Sequence, residues 1–245
     1  MKFEGKVAMI TGASVGIGRA VALKMAEEGA RLILLDINGE KLMSVCDEVR
    51  QYGAEVKGYP CDVSDEAAVK DAVEDALAQF GKIDILVNNA ALWRDTGPFG
   101  EVSSATWRKY MDINVLGTVN CTQAALPGMV ERGYGRIINV ASVAGVYGLA
   151  GMTHYSATKG AVIAFTKALA KEVTEKGVLV NSVSPGSVSP SDNEDVNFHR
   201  PSRWPYMGRT GTDAENANLI CFLASDEASY MAGANILIDG CRKQI

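Results

Sequence analysis

Apolar residues fall along the chain in two alternating rhythms. Short runs at Val7–Thr11, Arg31–Asp36, Glu55–Pro60, Ile83–Asn88, Gly135–Ser142, Val178–Val183 and Ile236–Asp239 are predicted strands. Between them, Ile17–Glu28, Glu40–Tyr52, Ser64–Phe80, Thr106–Val130, Met152–Glu175 and Thr212–Leu223 space their apolar side chains as helices do. The second run carries Leu32, Ile33, Leu34 and Leu35 without a polar break, which suits a strand of a parallel sheet covered on both faces. Gly29 is placed to close the first helix. Ser64 is the predicted N-cap of the third, with Ala67 where a capping box would have Glu. Thr106–Val130 reads as one long helix with Pro127 near its end. Strict strand–helix alternation calls for right-handed crossovers and a mostly parallel sheet.

One stretch breaks the rhythm. Ser184–Gly211 holds four of the seven prolines, together with Trp204 and Tyr206, and is too long for an ordinary connection. The expected organisation is a single domain over residues 1–245 with a loop insertion at about 187–209. Composition narrows the function. With 24 basic and 29 acidic residues the net charge is −5, which gives no general attraction to nucleic acid or to an anionic membrane. Five scattered cysteines with no CxxC pattern point to reduced thiols and a cytoplasmic location. The start, MKFEGKVAMITGA, has no secretory apolar segment, and no run reaches the roughly 18 residues of a membrane span. His154 and His199 lack the partners of a metal motif, so no metal is expected.

The first strand runs into Thr11-Gly12-Ala13-Ser14-Val15-Gly16-Ile17-Gly18, and a helix follows. Glycines at a strand–helix junction allow a tight turn and let backbone approach a pyrophosphate seated on the helix N-terminus. Asp36 ends the second strand, where a carboxylate accepts hydrogen bonds from an adenosine ribose diol and repels a 2′-phosphate. The neighbouring Val15 and Ile37 supply no offsetting cation, so the expected cofactor is NAD. Asp62 and Val63 follow the third strand, facing the adenine edge. Asn88-Asn89-Ala90-Ala91 follow the fourth, with small residues suited to backbone held close to a cofactor.

Taken with Asn114, Ser142, Tyr155-Ser156-Ala157-Thr158-Lys159 and Pro185-Gly186, these motifs resemble the short-chain dehydrogenase/reductase family from Gly5 to Gly240. The resemblance implies an α/β fold: a doubly wound Rossmann-type domain with a seven-stranded parallel sheet of order 3-2-1-4-5-6-7. It also implies a homotetramer or homodimer and a catalytic tetrad of Asn114, Ser142, Tyr155 and Lys159. Tyr155 would be general acid/base and Ser142 would bind the substrate oxygen. Lys159 would hold the nicotinamide ribose, and Asn114 would bind a water linking Lys159 to solvent. Tyr155 and Lys159 lie one helical turn apart. A free phenol titrates near 10, and bringing it toward neutrality is a change of about 4 kcal/mol. An ammonium about 4 Å away supplies that much at an effective dielectric of 20.

Three departures from the family pattern stand out. Ala91 replaces a frequent Gly. Ser187-Val188-Ser189-Pro190 replaces xIxT, so Pro190 stands at the Thr position; either Ser189 or Ser191 takes the Thr role or the contact is absent, while the Val188 backbone would bind the carboxamide. Asp239-Gly240-Cys241 replaces Asp-Gly-Gly. Trp93-Arg94 are expected at the edge of the substrate cleft, the alternative for Trp93 being a packed loop aromatic. The 187–209 loop reads either as a solvated loop with surface ion pairs or as a lid, mobile without ligand, that covers an apolar substrate with Trp204 and meets a carboxylate or polar tail with Arg200, Arg203 and Arg209. The function so read is NAD(H)-dependent interconversion of a secondary alcohol and a ketone, both small molecules. A 3-oxoacyl-thioester reductase is the alternative enzyme, and a non-catalytic dinucleotide sensor the alternative of another class.

Overall fold

The computed structural model describes residues 1–189 and 194–243. Seven parallel strands form one sheet: β1 (Val7–Thr11), β2 (Arg31–Asp36), β3 (Val56–Pro60), β4 (Ile85–Asn88), β5 (Gly135–Val140), β6 (Val178–Pro185) and β7 (Asn235–Ile238). Their order is β3-β2-β1-β4-β5-β6-β7, as the resemblance implied. The order reverses beside β1, so the C-terminal ends of β1 and β4 open a crevice where sheets of this kind hold ligands.

The two-faced strands explain the layers. In β1, Ala8 and Ile10 point into a core shared with α1 (Gly16–Glu27) and α2 (Gly39–Arg50), and with α8 (Asp213–Ala224). Val7 and Met9 point the opposite way. They join a second core with α3 (Glu66–Phe80), α5 (Gly117–Arg132) and α7 (Thr153–Val173). Side chains of a strand alternate between faces, so a run apolar at every position feeds both cores.

A polar ladder crosses the second layer. Asn88 and Asn139 are register partners on β4 and β5, and Asn88 donates to Asn139 at 2.9 Å. Asn88 also donates to Thr122 of α5 at 3.1 Å, and Asn139 to Thr166 of α7 at 2.9 Å.

Two sequence expectations are corrected. Thr106–Val130 is not one helix: α4 (Ser104–Met111) and α5 are joined by a widened π-type turn, Asp112–Leu116. Periodicity alone does not register one extra residue in a turn. The N-cap of α3 is Asp65, which accepts from Ala68 at 3.1 Å, whereas Ser64 donates to Asp62. A short helix, α6 (Val143–Tyr147), follows β5 at the end of the predicted strand.

Candidate active site

The segments that follow the strands converge on a cleft of about 1280 Å³ at the C-terminal edge of the sheet. The first is the turn after β1. Gly12 and Gly16 sit at φ +62° and +59°, where other residues are strained. A Cβ on Gly12 would lie 2.8 Å from the Ala90 Cα, and one on Gly18 only 2.1 Å from the Gly12 carbonyl oxygen. Gly18 therefore does not line the cleft; it lets α1 pack against its own turn. Ser14, Val15, Gly16 and Ile17 do line it. The first turn of α1 has no side-chain cap, which leaves its backbone N–H groups available to an anion.

Two neighbours fix this turn. Asn89 donates through Nδ2 to the carbonyls of Thr11 and Gly12, at 3.0 and 2.9 Å, and Thr11 Oγ1 accepts from the N–H groups of Asn89 and Ala90. Asp36 accepts from Ser14 N at 3.0 Å and Asn38 N at 2.9 Å while lining the cleft beside exposed Ile37. Asp62 and Val63 line the same end, and Asp62 holds Ser64 by two hydrogen bonds. Uncovered backbone amides, a glycine floor and a carboxylate at the end of β2 fit an adenine dinucleotide. Ala90 and Ala91 continue the wall, and Pro185, Gly186 and Val188 form the opposite one.

Ser142, Tyr155 and Lys159 meet between these walls. Ser142 follows β5 and caps α6, its oxygen accepting from Ala144 N at 3.1 Å. Its hydroxyl bonds Tyr155, which favours the phenolate, but burial acts more strongly and pushes the phenol up. Lys159 is buried, and burial pushes its ammonium down to about 8. Lys159 Nζ donates to the Val140 carbonyl at 2.7 Å and stands 5.8 Å from the centre of the Tyr155 ring. The Asn114 side chain accepts from Leu92 N and donates to Leu92 O and Thr158 Oγ1. It lies in the π-type turn and positions the Leu92 segment and α7 rather than lining the cleft.

The cleft is also lined by Leu149, Met152, Trp93 and Trp204. Of the groups expected in the lid, Trp204 and Arg200 line the cleft; the loop's other aromatics, Phe198 and Tyr206, do not. Arg209 pairs with Glu215, whose carboxyl is held down to about 2, and Arg203 stacks over Trp204. Pro190 and Ser191 lie outside the described residues; Ser189, the other stand-in for Thr, pairs with Thr210 at 2.8 Å. The loop is pinned by bridges Val188–Gly211, Pro201–Arg209 and Pro205–Arg242.

Four charged cleft residues escaped the sequence reading. Lys109 comes from α4, and Arg242 and Lys243 arrive from beyond β7, where no motif marks them. Asp213, the first residue of α8, is buried, and desolvation raises its carboxyl to about 6 against the pull of Arg19. Among the described residues no cluster of three His, Cys, Asp or Glu side chains is arranged to hold a metal, and no helix is long and apolar enough to cross a membrane.

The short chain dehydrogenase family profile matches residues 6–200. A 3-oxoacyl-(acyl-carrier-protein) reductase of Thermotoga maritima is 41% identical over 98% of both chains. A (2S)-((R)-hydroxy(phenyl)methyl)succinyl-CoA dehydrogenase subunit of Thauera aromatica is 39% identical over 99% of this chain and 98% of its own. Among solved structures, that of an NAD+-bound xylitol dehydrogenase superposes with a TM-score of 0.91 at 35% identity, covering 98% of this chain and all of the other.

Proposed function

The chain belongs to the short chain dehydrogenase family and is an oxidoreductase, and on that premise we propose that it interconverts a secondary alcohol and a ketone with NAD(H). The observation that carries the reading is the meeting of Ser142, Tyr155 and Lys159 in one cleft with the uncapped glycine turn. The nicotinamide, when bound, supplies or accepts the hydride. The protein moves the proton: Tyr155 gives it to, or takes it from, the substrate oxygen, and Ser142 hydrogen-bonds that same oxygen. Lys159, anchored on the Val140 carbonyl, holds the nicotinamide ribose and places positive charge on the side of the phenolate. Asn114 acts by position, tying the Leu92 segment to the Tyr155 helix through Thr158. Gly12, Ser14, Val15, Gly16, Ile17, Asp36, Ile37, Asp62, Val63, Asn89, Ala90, Ala91, Pro185, Gly186 and Val188 form the cofactor wall in this reading, with Gly18 behind it. Assembly as a homotetramer or homodimer and a cytoplasmic location belong to the same proposal.

Asp36 sets the cofactor. A carboxylate against a 2′-phosphate costs a few kcal/mol at intermediate dielectric, and each 1.4 kcal/mol is tenfold. NAD should exceed NADP at least tenfold in kcat/KM, and Asp36→Ala should narrow that gap; equal efficiency in the unaltered enzyme refutes the assignment. Tyr155→Phe should leave NAD binding intact and lower turnover about 10²–10⁴-fold. Retention of more than a tenth of the rate would remove Tyr155 from the acid/base role.

Reduction of a 3-oxoacyl thioester is a second reading, favoured by the 41% identity to the Thermotoga maritima reductase. Its discriminating assay is NADH oxidation with an acetoacetyl thioester. The sensor alternative is disfavoured by the converging Ser142, Tyr155 and Lys159, and any cofactor-dependent turnover eliminates it.

A further inference from the structure

The cleft holds more cations than it pairs. Its carboxylates are Asp36 at the end of β2, Asp62 after β3 and Asp213 at the start of α8. It is also lined by Arg94, Lys109, Arg200, Arg242 and Lys243, and none of these five forms an ion pair with a carboxylate among the described residues. Arg242 is the telling one. It is half-buried, and its only polar partner among the described residues is the Ser187 hydroxyl, at 3.4 Å. Its guanidinium otherwise stacks 5.4 Å from the Trp204 ring. A partly desolvated cation without a counter-ion is costly unless an anion arrives.

The backbone places Arg242 there at a cost. Gly240 and Cys241 both have positive φ, +63° and +59°, and Cys241 is the one non-glycine residue so bent among the described residues. Such strain is of order 1 kcal/mol or more and persists where the surroundings enforce it. The enforcing contacts are with the loop: Tyr206 N donates to Cys241 O at 2.9 Å, Met207 N to Gly240 O at 3.2 Å, and Lys243 N to Trp204 O at 2.9 Å. Loop and tail thus form one flap that carries Trp204, Arg200 and Arg242 to the mouth of the cleft.

We infer that this flap is an oxyanion-binding subsite, in which Arg242 with Arg200 fixes a carboxylate or phosphate borne by the substrate while Trp204 covers its apolar part. The inference rests on the proposed hydride transfer and adds the substrate class: an oxo or hydroxy acid, or a phosphate-bearing thioester of one. A guanidinium suits either anion through paired N–H donors.

The test compares substrates of one skeleton with NADH: acetoacetate, its methyl ester, its coenzyme A thioester and its N-acetylcysteamine thioester, which lacks phosphate. The unaltered enzyme should favour a charged member over its neutral counterpart at least tenfold in kcat/KM, with the preference falling as salt is raised. Preference for acetoacetate identifies the carboxylate, and preference for the coenzyme A over the N-acetylcysteamine thioester identifies the phosphate. Arg242→Ala should lower kcat/KM for the charged member at least tenfold, chiefly through KM. It should leave the neutral member and the NAD dissociation constant within about twofold, and Arg242→Lys should recover part of the loss. Arg209→Ala, whose partner is Glu215, controls for general disturbance of the loop. Equal efficiency on charged and neutral members, or an Arg242→Ala effect on NAD affinity instead of KM, overturns the subsite. Absence of cofactor-dependent turnover on all four and on neutral secondary alcohols overturns the hydride-transfer reading itself, and the subsite with it.

Discussion

Replacing Asp213 by Asn should make the protein more stable at neutral pH. The carboxyl is 5% exposed at the start of α8, and burial raises it from 3.8 to about 6. At 1.36 kcal/mol per pH unit of displacement, keeping it ionised in the fold at pH 7 or above costs about 3 kcal/mol. Asparagine has nearly the same shape and stands in for the protonated acid. The folded-state value is raised, so the acid's favourable contribution is complete below about pH 3.8 and is lost as pH rises through about 6. The advantage of Asp213→Asn is therefore absent at pH 3.5, grows between about 4 and 6, and levels off above about 7 at 2–3 kcal/mol. For a chain of this size that corresponds to a rise in Tm of about 5–10 °C. Urea unfolding of both proteins at several pH values between 3.5 and 8 measures it directly. A gain that is the same at pH 3.5 and 8, or no gain at pH 8, would show that the carboxyl is not held in its charged form against a desolvation cost. A matching fall in NAD affinity would mean that the charge is retained for the site.

Two further outcomes follow from the same geometry. Gly18→Ala forces a Cβ to within 2.1 Å of the Gly12 carbonyl, so the α1 turn must shift; a loss of more than about 3 kcal/mol in unfolding free energy, or loss of NAD binding in a fluorescence titration, is expected. A fully stable Gly18→Ala that binds NAD normally contradicts the packing. Lys159, pushed down to about 8, loses its proton as pH rises through that value, so NAD affinity measured from pH 6.5 to 9.5 should weaken above about 8. Lys159→Met should bind NAD less well throughout and show no break; a break retained in that variant assigns it to another group.

The sequence made the sheet legible because its strands feed two cores. Met9 and Ile10 go to opposite layers, and such a strand has no polar face to confuse the pattern. The candidate catalytic positions were legible through the family resemblance; spacing added only that Ser142 follows a strand and that Tyr155 and Lys159 lie one helical turn apart. What spacing could not carry was long-range hydrogen bonding. Nothing local to Lys159 announces that its ammonium spends a bond on Val140, 19 residues upstream. Nothing local to Asn114 announces that its amide bonds Leu92, 22 residues away. The arginines show the same limit. Arg203, Arg209 and Arg200 look alike in the loop, yet Glu215 takes one, Trp204 takes another and only Arg200 lines the cleft. Arg242 lies 33 residues after Arg209, in a segment without any motif, and reaches the site because of the bend at Gly240 and Cys241.

The amide ladder between β4 and β5 bears on how faithfully the chain folds. Asn88 and Asn139 face one another in register, each reaching a threonine on a flanking helix. A slip of one residue displaces a strand by about 3.3 Å and turns its side chains to the other face. The slipped asparagine would then sit in the aliphatic layer beneath α1 and α8 with its amide unbonded, at a cost of a few kcal/mol. An all-valine pair would have tolerated either alignment far more evenly. The ladder thus acts as a vernier between the two halves of the sheet: it sets the level at which the chain leaves β4 and β5, and so the height at which Asn89 and Ser142 emerge relative to each other. A misaligned chain would keep most of its buried apolar area and lose its chemistry, and these two amides are what make that error expensive.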